Sequence, residues 1–199
     1  MTTPFHENLA KAKRTAYHLE QRDGWALDSA KYRASFEAFM AGQAPDADAD
    51  GAFWSGWTST VREAVARGVE FRRLRIVSEP VSDYTRWEHA ITAANVAAGE
   101  QVRWLPRSQC VDLAVVPVDF WVFDSDSVLF GHFSGDGEST GHELRTEPEI
   151  AKLAAECFEA AWSRAIPHDR LHPGVGRRCP RPRTCPSRRR ASSLPPVWR

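Results

Sequence analysis

The stretch Val69 to Ala90, VEFRRLRIVSEPVSDYTRWEHA, constrains this chain most. Its apolar residues fall in two pairs of opposite parity, Val69 with Phe71 and Leu74 with Ile76. Side chains alternate between the faces of a strand, so the two pairs point to opposite sides unless the alternation slips. A bulge at Arg72-Arg73 would bring both pairs to one core, and that is the expectation. Glu79-Pro80 ends the strand, because proline donates nothing to the ladder and biases its predecessor away from helix. Ser82 then caps a helix with Asp83 in its first turn, and Tyr84, Trp87, Glu88 and Ile91 share roughly one side.

The flanking segments read as alternating helices and strands. Phe5, Leu9, Ala12, Ala16 and Leu19 recur at helical spacing and predict a helix over 5–20. Tyr32, Phe36, Phe39 and Met40 predict a second, capped at Asp28 or Ser29 and ended by Gly42, so that residues 1–42 form a helical hairpin. The acidic run GQAPDADADG makes 43–52 a linker. Trp54, Trp57, Val61, Ala64 and Val65 give a third helix that stops at Gly68. Strands follow at 101–106 and at Phe120 to Asp124. The latter turns through Ser125-Asp126 into SVLFGHF as an antiparallel hairpin. Residues 140–145 add a further strand. A last helix, capped by Thr146 with Pro148 in its first turn, carries a stripe from Ile150 to Ala165 and ends before Pro167. The fold class is α+β: an amino-terminal helical hairpin, a central mixed or meandering sheet with packed helices, and a carboxy-terminal amphipathic helix. The core domain spans 53–168 and packs with 1–42 as one unit, while 169–199 form a disordered basic tail.

Charge is divided along the chain. Eight arginines and no acidic residue follow Leu171, leaving 18 basic side chains against 26 acidic ones before it. An acidic body matches the phosphate backbone of nucleic acid poorly, so nucleic-acid binding falls to the tail alone. The four cysteines show no metal-ligand spacing and suit a reducing cytoplasm. No apolar run suits a secretory signal or a membrane span.

No catalytic set declares itself. His89, His132 and His142 could meet Asp124, Asp136 or Glu143, but their spacing does not require a metal site, and neither metal nor cofactor is expected. Asp83 and Glu79 have structural explanations as a cap and a strand end, and Glu88 as an ion-pair partner of Arg86. The glycines after Gly131 match no phosphate loop. The best binding candidates are Arg72, Arg73 and Arg75 on the strand, Tyr84 and Arg86 on the helix, and Arg103 and Arg107 on and after the next strand. On a shared face they would grip a small anionic ligand through bidentate hydrogen bonds.

The segments RGVEFRRLRIVSEPVSDYTRWEHAITAANVAAGEQVRWLPR, DFWVFDSDSVLFGHFSGDG and FEAAWSRAIPH, with AYHLEQRDGW and FEAFMAG before them, resemble an uncharacterised actinobacterial domain-of-unknown-function family over about residues 5–168. Its members are often encoded beside helix-turn-helix regulators. That resemblance implies a cytoplasmic accessory protein of a transcription-regulatory or signalling locus, non-catalytic, binding a regulator partner or a small anionic ligand. A second similarity is to one half of a phospholipase D-like fold, whose strand carries HxKxxxxD. On VDFWVFDSDSVLFG, Asp126 matches the aspartate and Gly131 the following glycine. Asp119 and Trp121 stand where histidine and lysine belong, so that chemistry is not carried over. The alternative is an undescribed, phosphodiesterase-like hydrolase using Asp83, Glu88, Asp126 or His132.

Overall fold

The computed structural model describes residues 3–173. Its elements are helices α1 (Pro4–Lys11), α2 (Ala30–Met40), α3 (Ser55–Ala66), α4 (Asp83–Ala97) and α5 (Pro148–Arg164). The strands are β1 (Thr15–Glu20), β2 (Glu70–Val77), β3 (Gln101–Pro106), β4 (Asp119–Phe123), β5 (Ser127–Phe133), β6 (Ser139–Arg145) and β7 (Ile166–Pro167). One seven-stranded mixed sheet runs in the order β6-β5-β4-β1-β2-β3-β7. Strands β1, β2 and β3 are parallel, and β4, β5, β6 and β7 join antiparallel. The α+β class with a mixed sheet is therefore as the sequence implies, and the predicted basic tail lies almost wholly outside the described residues.

The amino-terminal hairpin is corrected. The helix stops at Lys11, and Thr15–Glu20 forms a strand between β2 and β4. Ala16 and Leu19 are fully buried on opposite faces of it. A strand buried on both sides has no apolar-polar alternation, so its apolar residues continued the spacing of α1. The junction is held by Asp124 in the β4–β5 turn. Its carboxylate accepts from the backbone N–H of Lys13 (2.8 Å), Arg14 (2.7 Å) and Thr15 (2.8 Å). Asp124 and Ser125 both adopt positive φ, 53° and 61°, which aims the side chain back at these donors. One smaller expectation also changes. Glu147 rather than Thr146 occupies the N-cap of α5, where its carboxylate takes the Arg145 guanidinium at 2.9 Å. The helix does end before Pro167, and Ile166 and Pro167 then pair with Trp104 and Arg103 on β3.

No bulge interrupts β2, which pairs in continuous register with β1 and β3. The sheet instead has helices on both faces, so both parities of β2 are buried. Leu74 and Ile76 meet Tyr17, Leu105, Phe120 and Val122 under Ala154, Phe158 and Ala161 of α5. Val69 and Phe71 meet Ala16, Phe123 and Leu129 under Leu9 of α1 and Val61 and Ala64 of α3. Beside that second core, Trp87, Ile91 and Ala94 of α4 pack with Trp54 and the half-buried Tyr32 and Phe36 of α2. The 43–52 connection is tied to this layer: Asp46 O accepts from Trp54 Nε1 (2.9 Å), and Ala49 O from Thr58 Oγ1 (2.7 Å). Arg73 and Arg75 share the parity of Phe71 and are carried inward with it, 8% and 1% exposed.

Burial works against the Asp124 carboxylate, but the N–H groups of Lys13, Thr15 and Arg14 outweigh it and hold its pKa below the ordinary value. A depressed carboxylate pKa adds stability above the unfolded value of about 3.9 that is lost as pH falls through the folded one. Asp124→Ala is expected to cost about 2 kcal/mol in urea denaturation at pH 7, and less as pH drops below about 4.

Candidate ligand cleft

A cleft of about 480 Å³ lies between the sheet and α2, α3 and α4. That volume falls within the range of small-molecule sites. It sits beside β1, the strand at which sheet order turns back: β2 and β3 extend to one side, β4, β5 and β6 to the other. His18 and Glu20 of β1 face it next to Arg73 and Arg75 of β2, because the register pairs His18 with Arg73 and Glu20 with Arg75. From α4 come Tyr84, Glu88, Ile91 and Asn95, spaced to share one helix face. Ser82 positions this helix by accepting from Thr85 N at 3.0 Å. Tyr32, Trp54 and Trp57 supply aromatic walls, and Trp25 to Ser29 form the rim.

The rim is pinned at both ends. Asp23 accepts from Ser78 N (2.7 Å) and Ser78 Oγ (2.6 Å), fixing it to the end of β2. Ala26 N donates to Gly137 O (3.1 Å) in the β5–β6 turn. At Gly137, with φ +86°, a Cβ would come within 2.8 Å of Ala26 N, so only glycine permits this approach.

Arg75 is the centre of the floor. Its Nη1 lies 2.5 Å from Glu88 Oε2 and its Nε 3.2 Å from Glu20 Oε2. Its guanidinium carbon stands 4.7 Å from the centroid of the Trp25 ring and 5.3 Å from that of Trp104. Tyr84 Oη donates to the other Glu88 oxygen at 3.1 Å. Arg73 makes a two-pronged pair with the buried Glu100, at 3.0 and 3.2 Å. Thus each inward guanidinium is already matched by carboxylate, and the floor carries no surplus positive charge.

These surroundings fix protonation. Burial depresses His18 to about 4, against the pull of Glu20, and the ring stacks on Trp121 at 4.1 Å. Burial would raise Glu20, but Arg75, with His18 and Arg73, outweighs it and keeps the carboxylate below its ordinary range. Burial raises Glu100 despite Arg73, and burial with Glu88 raises Tyr84. On β4, burial lifts Asp119 to about 6, although Gln21 N donates to it at 2.9 Å.

Of the candidate residues named from sequence, the cleft collects Arg73, Arg75 and Tyr84. Arg72 and Arg103 lie on the α5 side, bracketing the Trp162 ring at 5.1 and 4.4 Å, with Arg72 paired to Glu70 and Glu159. Arg86 pairs with Asp83 on the surface of α4. Arg107 donates to Gln21 O and to Ser78 Oγ at the strand ends. The hydrolase candidates do not converge: Glu88 is in the cleft, Asp126 is 80% exposed in the β4–β5 turn, and His132 lies 3.5 Å from Glu143 on the outer hairpin. His89 stacks on His168 at 4.3 Å, away from both. Among the described residues no group of three or more His, Cys, Asp or Glu is arranged to hold a metal ion, and no helix is long and apolar enough to cross a membrane.

With this geometry in hand, one comparison decides the family. The chain belongs to Domain of unknown function (DUF6879), whose model matches residues 3–173. No curated protein matches it. Among solved structures this DUF6879 chain is similar to the phospholipase D family member Nuc from Salmonella typhimurium. They share 12% identity at a TM-score of 0.45, over 81% of this chain and 86% of that one. It is also similar to TrmBL2, an archaeal chromatin protein with a novel mode of DNA binding, at 15% identity and a TM-score of 0.42. That match covers 81% of this chain and 49% of the other.

Sequence reasoning missed His18, Glu20, Trp25 and Asn95. The first two were readable once Thr15–Glu20 was a strand, since His18 and Glu20 then share a parity. Trp25 and Asn95 reach the cleft through a loop path and a helix rotation that leave no sequence pattern.

A depressed His18 removes stability as pH falls below its unfolded value near 6.5. His18→Phe is expected to abolish a loss on the order of 3 kcal/mol between pH 6.5 and 4 in the wild type, measured by urea denaturation across that range.

Proposed function

We propose that this chain is a non-catalytic ligand-binding accessory module, and that the cleft takes a small planar ligand. The observation carrying this reading is Arg75, a fully buried guanidinium with an Nη2 that has no hydrogen-bond partner among the described residues, set among aromatic cleft walls. A buried ion network contributes little stability compared with a well-packed apolar core of the same volume, so its presence is better explained by recognition. Binding is favoured over hydrolysis because Asp83, Asp126 and His132 lie apart from the cleft. The pairing of Arg73 and Arg75 with carboxylates also revises the ligand expected from sequence: a planar polar molecule suits the floor better than a free small anion. In a transcription-regulatory or signalling locus, occupancy of the cleft would be reported to a helix-turn-helix regulator partner.

Tryptophan emission and thermal shift, screened against planar heteroaromatic and matched aliphatic compounds, test the reading. Planar compounds are expected to raise the melting temperature, and Tyr32→Ala to weaken them about tenfold, or roughly 1.4 kcal/mol. A screen with no planar hit, or hits indifferent to Tyr32→Ala, overturns it.

A further inference from the structure

Residues 166–173 lie along the β3 edge of the sheet as a strap. Ile166 and Pro167 pair with Trp104 and Arg103, a single tight turn follows at His168–Arg170, and Leu171 N donates to Pro167 O at 3.2 Å. Leu171 then packs against the buried Val77, Val102 and Trp104. None of residues 166–173 belongs to the core under α5 or to the one under α1 and α3. Two paired residues and one leucine are a small apolar anchorage, and histidines supply much of the rest.

His168 Nδ1 lies 3.2 Å from Nε1 of Trp104, a side chain with no exposed surface. An indole N–H only donates, so Nδ1 accepts, and the His168 ring is the neutral tautomer that carries its proton on Nε2. The same ring stacks on His89 of α4, with centroids 4.3 Å apart and planes 30° from parallel. His89 Nε2 donates to His168 O at 3.4 Å. A second proton on His168 must go to Nδ1, where it would face the indole N–H and leave a buried donor without an acceptor. With His89 also charged, the stack would bring two like charges together.

The surrounding groups favour the neutral rings. Burial foremost, then His89 and Arg73 of β2, depress His168 to about 4 against the pull of Asp169. Glu100, which could offset Arg73, is already paired with it at 3.0 Å. Burial lowers His89 as well, with His172 adding to it and backbone hydrogen bonds to His168 and Leu171 opposing it.

We propose that residues 166–173 are a detachable strap, seated on β3 and α4 only while His89 and His168 are both neutral, and that acid releases it. Release frees the β3 edge and uncovers Val102 and Trp104 while both cores stay in place. Each histidine has a folded pKa below its unfolded value near 6.5, so its share in seating the strap is whole above that pH and is lost as pH falls toward the folded value. The strap stands independently of what the cleft binds.

Amide hydrogen exchange of the full chain, corrected for the intrinsic effect of pH, tests this. Between about pH 6.5 and pH 5, protection of Ile166 and Leu171 is expected to fall at least tenfold while the amides of β2 keep theirs. His168→Asn offers the Trp104 indole a carbonyl acceptor that does not titrate, and combined with His89→Phe it should hold the change within about twofold. No fall in the wild type, an equal fall in β2, or an equal fall in the double variant overturns the proposal. Should the double variant fail to fold or to seat the strap at pH 6.5, the wild-type ring titration followed by NMR decides: His168 protonating below about pH 6 supports the strap, and protonation at or above it overturns it.

Discussion

The structure turns on one buried cation. Arg75 is drawn into the protein because it shares a strand face with Phe71, and everything that makes this tolerable comes from elsewhere in the chain: Glu20 from the neighbouring strand, Glu88 from α4, Trp104 from β3 and Trp25 from the rim. Removing a guanidinium from water is costly unless charge and hydrogen bonds are restored around it. Here two carboxylates more than restore the charge, while the hydrogen bonds remain incomplete. Burial acts to lower the pKa of Arg75, but Glu20 and Glu88 raise it further than burial lowers it, so the cation is fixed. Helix α4, through Glu88, and the 21–29 segment, through Trp25, both take part in enclosing it.

Much of the fold could be read from residue patterns because its elements carry their own punctuation. Gly68 and Gly99 adopt positive φ where helices α3 and α4 give way to strands, and Ser82 caps α4 as its position implies. The errors came where a pattern had more than one physical origin. Alanine and leucine at 16 and 19 continue a helical spacing, yet they are opposite faces of a strand with packing on both sides. The two parities of β2 suggested a bulge only because a single core was assumed; two cores, one under α5 and one under α1 and α3, satisfy both without it.

The site was less legible than the fold for a related reason. Arginines close in sequence looked like one basic surface, but alternation sends Arg72 to the α5 face and Arg73 and Arg75 to the other. Carboxylates then meet each of them, from Glu70 and Glu159 on one side and Glu100, Glu20 and Glu88 on the other. Apart from Glu70 on β2 itself, those partners lie outside the strand, so a one-dimensional reading sees the charge and not most of its neutralisation. What residue type does convey is the abundance of tryptophan. Trp25, Trp54 and Trp57 line the cleft, and Trp104 and Trp121 back its charged floor.

The contact between Ala26 and Gly137 joins two parts of the molecule that are far apart in sequence. The rim of the cleft rests on the tip of the β5–β6 hairpin, and β6 is one of the two edge strands of the sheet. Such an edge offers unpaired backbone groups to another chain. The same peptide contact that shapes the cleft thus ties its mouth to a hairpin at the sheet's edge.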